Sequence, residues 1–171
     1  VKRRNAPMIN REIMVEMDEV ICSVISEINN GGTVTMVGGG TSMKPFIESG
    51  TDKIVLSQIP DNKKIRIGEI YLYRRSNGRY AIHRVYSVKG NTVSMCGDSQ
   101  ITIEKIDKND LIAIVTQVIK PDRTTDCLKF SSLLLHRFRM RYRQLKYKYK
   151  AIQKIHRIFR KIKRKLTGNN L

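Results

Sequence analysis

A mainly β domain flanked by two helices is the fold class this sequence predicts, on three observations. From Thr33 onward the apolar residues fall into short extended runs punctuated by glycine, proline, asparagine and aspartate. Before Thr33, and again after Pro121, apolar residues recur at steps of three and four, the period of a helix with one apolar face. The chain therefore divides into an N-terminal amphipathic helix (1–32), a β domain (33–120) and a basic amphipathic helical tail (121–171). Its 171 residues suffice for one domain with a buried core plus appendages.

The first helix is expected over residues 8–29, where Ile9, Ile13, Met17, Val20 or Ile21, Val24 and Ile28 share a face and Glu12, Glu16, Glu19 and Glu27 lie elsewhere. Asn29-Asn30-Gly31-Gly32 ends it, because these residues accept left-handed backbone. Its expected role is to cover one face of the sheet. The strands follow at Thr33–Val37, Lys53–Ser57, Glu69–Arg74, Tyr80–Val88, Thr92–Cys96 and Leu111–Ile119. Ser76-Asn77-Gly78 marks a hairpin, since Asn-Gly tolerates positive φ. Alternation along the fourth run places Ala81, His83, Val85 and Ser87 on one face, and Tyr80, Ile82, Arg84 and Tyr86 on the other.

The tail is predicted as one long helix with an apolar stripe running Leu134, Phe138, Tyr142, Leu145, Tyr149, Ile152, Ile155, Phe159, Ile162 and Leu166. Arg137–Lys165 carries 14 lysines and arginines and no acid; taking these from the net +18 leaves +4 for the rest of the chain. So concentrated a charge points to a polyanion. An anionic membrane surface suits the aromatic stripe best, with a nucleic-acid contact and a stripe packed on a partner the other two readings open to such a helix.

No apolar run reaches the roughly 18–20 residues that cross a bilayer, and the acids among residues 12–19 interrupt any leader-like core. The expectation is a cytoplasmic or peripherally membrane-associated protein without signal peptide or transmembrane helix. Cys22, Cys96 and Cys127 are odd in number and widely spaced. They form no metal-ligand pair. With no phosphate loop either, no cofactor and no metal are expected.

Chemistry concentrates in Gly38-Gly39-Gly40-Thr41-Ser42-Met43-Lys44-Pro45, which holds one serine on backbone shaped by glycine and proline. Serine needs a base to become a nucleophile at neutral pH, and His83 is the candidate.

Gly40-x-Ser42-Met43-x-Pro45, then Ile82-His83-Arg84-Val85, then Gly97-Asp98 resembles the ordered motif set of type I signal peptidases and the self-cleaving repressors related to them. The resemblance covers residues 33 to 120 and, with histidine where the bacterial branch has lysine, places the chain with the endoplasmic-reticulum and spore-former branch. It implies a serine endopeptidase with Ser42 as nucleophile, His83 as general base and Asp98 as the acid orienting it, Glu104 and Asp107 being alternatives for that role. It further implies oxyanion donation around Gly40, Thr41 and the Ser42 amide, and a place for Met43 beside the substrate groove. Gly40 stands where many relatives have a donor serine. The substrate implied is an extended segment of a peptide or protein, such as a leader or signal sequence. The alternative is a nucleic-acid-binding regulator related to the repressors, against which the single helix before Thr33 and the histidine base both count.

Overall fold

The computed structural model describes residues 20–167. Eight strands form one antiparallel sheet: β1 (Thr33–Val37), β2 (Lys53–Ser57), β3 (Ile70–Arg74), β4 (Tyr80–Lys89), β5 (Thr92–Cys96), β6 (Glu104–Asp107), β7 (Leu111–Ile119) and β8 (Thr124–Asp126). Residues 20–29 form a helix, α1, and Phe130–Thr167 a second, α2. The part of the first helix expected over residues 8–19 lies outside the described residues.

The strand order is β1-β2-β7-β3-β4-β5-β6, with β8 added to β7. β7 organises it. One edge of β7 pairs with β2 over Ile114–Ile119, and the other pairs first with β3 and then, at Gln117–Ile119, with β8. The sheet thus continues six residues past the expected boundary at 120, and Cys127 just after β8 is buried in the core. The β3–β4 hairpin turns at Ser76-Asn77-Gly78, where only Gly78 takes positive φ (81°) and Asn77 Oδ1 accepts from the Arg79 N–H at 3.1 Å.

Both faces of the sheet are buried, which follows from strand alternation. On one face Ile54, Leu56, Ile70, Leu72 and Val115 meet Ile21, Val24 and Ile28 of α1 and Met43 and Ile47 of the Ser42 loop. On the other, Tyr71, Tyr73, Val85, Val93, Met95, Ile106 and Ile114 pack together with loop residues such as Ile59 and Ile65. Among the described residues no helix residue belongs to that second cluster. Each buried aliphatic side chain contributes about 1.5–3 kcal/mol.

α2 docks through Leu133, His136, Met140 and Gln144, all buried, at helical steps. The His136 ring stands edge-on to Phe46 at 4.4 Å, and Gln144 Nε2 donates to Ile101 O at 3.0 Å. Among the described residues no helix is long and apolar enough to cross a membrane.

Candidate functional site

Ser42 sits half-buried in a turn anchored from beneath by Met43 and Ile47, whose side chains enter the first core cluster. Met43 is therefore a core residue rather than the wall of an open groove. Gly40 has φ +72°, a conformation costly for any residue with a Cβ, so the glycine shapes the approach to the serine. From above, the loop is fastened to the end of β5. Ser99 N–H donates to Ser42 O at 2.8 Å, and Ser99 Oγ lies 3.0 Å from Ser42 O and 2.9 Å from Thr41 O.

That fastening places the Ser42 backbone beside Gly97, just past the end of β5, the strand that pairs with β4. β4 pairs with β5 at Arg84↔Cys96, and the same register carried one step further sets Gly97 opposite His83. A Cβ on Gly97 would lie 2.7 Å from Ser42 O, so the backbone of Ser42 occupies the space a side chain there would fill. Val93 and Met95 precede Gly97 at alternate positions and belong to the face on which His83 lies. Among the described residues Ser42 Oγ makes no hydrogen bond to the His83 ring. Among the described residues the amide N–H groups of Thr41 and Ser42 donate no backbone hydrogen bond either.

His83 is 2% exposed. Its Nδ1 lies 2.9 Å from Tyr73 Oη, which donates to Glu104 Oε2 at 2.8 Å; Arg75 Nη2 holds the other Glu104 oxygen at 2.7 Å. This chain dictates a tautomer. Paired with Arg75, the Glu104 carboxylate accepts only, so the one hydroxyl proton of Tyr73 points to it. Tyr73 Oη must then accept from the ring, which puts the proton on Nδ1 and leaves the Nε2 lone pair free. Burial, and then the bond to Glu104, push the Tyr73 hydroxyl well above its ordinary pKa, so it keeps its proton. Burial holds His83 below the usual imidazole value, opposed by the charges of Glu104 and Asp98 and reinforced by Arg75. The ring is neutral at neutral pH and basic at Nε2.

Asp98 does something else. Its two oxygens take Arg84 Nε at 2.9 Å and Nη2 at 2.7 Å, while Arg84 Nη1 donates to Gly68 O at 2.7 Å. The guanidinium also stacks over Phe46, 4.7 Å from the ring centre. Arg84 alternates with His83, so this buried ion pair lies on the opposite face of β4. Asp98 reaches His83 only as a distant charge and does not orient the ring; the geometry gives that place to Glu104, acting through Tyr73. Asp107 is occupied as the cap of the short 3₁₀ turn at Lys108–Asp110. Tyr73 and Arg75 escaped sequence reasoning, although alternation along β3 beside β4 carried the signal for Tyr73.

A cleft of about 740 Å³ opens on the Arg84 side, lined by Phe46, Asp98, Arg139 and Arg143 among others, with neither Ser42 nor His83 in its wall. Among the described residues no group of three or more histidines, cysteines, aspartates or glutamates is placed to hold a metal. Comparison of the chain with protein-family models, with curated proteins and with solved structures finds no significant match.

Proposed function

We propose that the chain is a serine endopeptidase that cuts an extended leader- or signal-like segment of a peptide or protein. Ser42 Oγ attacks the scissile carbonyl carbon and gives its proton to His83 Nε2. The oxyanion takes the amide N–H groups of Ser42 and Thr41. As the C–N bond breaks, Nε2 returns the proton to the leaving amine; water then repeats the sequence to release the acyl group from Ser42. The imidazolium formed in between is stabilised by Glu104 through the Tyr73 hydroxyl. The observation that carries this reading is the Glu104–Tyr73–His83 chain, which gives a neutral imidazole with its lone pair at Nε2, on the strand paired with β5, to whose end the Ser42 loop is fastened.

The test is cleavage of a complex peptide mixture, read by mass spectrometry of new termini. The full chain is expected to generate one family of termini after a small residue, absent with Ser42→Ala and with His83→Ala. Termini that persist in Ser42→Ala would refute the serine mechanism.

A further inference from the structure

Among the described residues, α2 packs on the body along one face and leaves a second, apolar face exposed. Leu133, His136, Met140 and Gln144 meet the body, whereas Leu134, Phe138, Tyr142, Leu145, Tyr149 and Ile152 are exposed, Phe138 at 66% and Tyr142 at 69%. At about 100° per residue the two sets point roughly 150° apart, so the second faces away from the sheet. Exposed Arg137 and Arg141 border it on one side, and exposed Arg139 and Arg157 on the other. The helix runs 38 residues, roughly 57 Å, and its sequence contains no aspartate or glutamate.

We propose that this outward face of α2 lies flat on an anionic lipid surface. The apolar edge enters the headgroup boundary while the flanking arginines reach lipid phosphates, their stems lying along the apolar layer. Charge selects the occupant. A second copy would bring an equally basic helix against this one, which repels, and nucleic acid would leave the six apolar side chains in water. A cation-bordered apolar face matches an anionic lipid surface. Arg143 Nη2 also donates to Gly97 O at 3.0 Å, so a docked helix sets the end of β5 and the Ser42 loop at a fixed height above the lipid. The inference stands independently of the chemistry at Ser42.

The chain has no tryptophan, so Tyr142→Trp provides a single reporter on the exposed face. In the whole 171-residue chain its emission is expected to shift to the blue, and to be quenched by brominated acyl chains, with vesicles of phosphatidylcholine containing about one third phosphatidylglycerol, but not with phosphatidylcholine alone. Combined Phe138→Ser, Leu145→Ser and Ile152→Ser should weaken co-sedimentation with the mixed vesicles on the order of a hundredfold. The helical circular dichroism should stay unchanged, because all three side chains are exposed. Any of four results would overturn the proposal: no emission shift on mixed vesicles, equal binding by the triple variant, a wild-type dimer that the triple variant dissolves, or duplex DNA displacing the protein from vesicles.

Discussion

Replacing Glu104 with glutamine should lower both the activity and the pH at which activity appears. The amide oxygen can still accept from Tyr73, while the amide nitrogen then faces Arg75 Nη2, so the change removes the charge and the Arg75 bond but keeps the bond to Tyr73. The Glu104 oxygen and His83 Nδ1 are separated by no more than the two hydrogen bonds, 2.8 and 2.9 Å, laid end to end. At that distance a unit charge stabilises the imidazolium by about 3 kcal/mol at an effective dielectric of about 20. Glu104 is partly exposed, at 29%, which reduces the effect. A fall of about 10- to 100-fold in kcat/KM is therefore expected at the plateau. The sign for pH follows from the same charge. Glu104 raises the His83 pKa, so its neutralisation lowers that pKa further, and the acidic limb should move down. The assay is kcat/KM from pH 4 to 9 on a peptide identified by its new termini. An unmoved limb with unchanged rate, or a limb moved upward, would refute the relay.

Tyr73→Phe should cost a similar factor in kcat while leaving KM nearly unchanged, and a KM effect alone would point to substrate binding instead. Asp98→Ala should act on stability, losing about 3–5 kcal/mol in urea titration because it strands the buried Arg84 charge; an intact urea midpoint with a shifted pH profile would return Asp98 to the role of orienting acid. Gly97→Ala should impair cleavage far more than folding, since its Cβ meets Ser42 O, and full activity would contradict that close approach. His136 is held down at about 4, chiefly by burial and next by Arg84. Its folded pKa lies below the unfolded value, so the stability tied to its neutral form is present above about 6.5 and lost as pH falls towards 4, by at most about 3 kcal/mol. His136→Phe should shrink that loss, as read by urea titration at pH 7 and pH 4.5, and an equal loss in both proteins would disprove the assignment.

Much of the sheet was legible because alternation and turn residues mark strands buried on at least one side. β1, β2, β5 and β7 fall on the expected residues. β6 was not, because Glu-Lys-Ile-Asp offers one apolar residue at the sheet edge and is held by backbone pairing to β5. β8, Thr-Thr-Asp, has no apolar residue at all. In α2 the most apolar stripe is not the one that docks. Packing chose Leu133, His136, Met140 and Gln144 because His136 finds Phe46 and Gln144 finds the Ile101 carbonyl, partners that lie far off in sequence. The choice among Asp98, Glu104 and Asp107 was closed to sequence for the same reason. Asp98 is the nearest of the three to His83 along the chain, but adjacent strand residues face opposite ways and Arg84 takes it. Glu104 reaches the histidine across two strands, through a tyrosine.

The state of the His83 ring tests the account most directly, because the proposed base exists only if Nε2 carries no proton. Nitrogen-15 NMR of the full chain with labelled histidine, assigned by comparison with His83→Gln, reports both ring nitrogens at pH 7. The account predicts a neutral ring with a protonated Nδ1 and a bare Nε2, the Nδ1 signal shifting in Tyr73→Phe. A ring protonated at Nε2, or doubly protonated at pH 7, would contradict it.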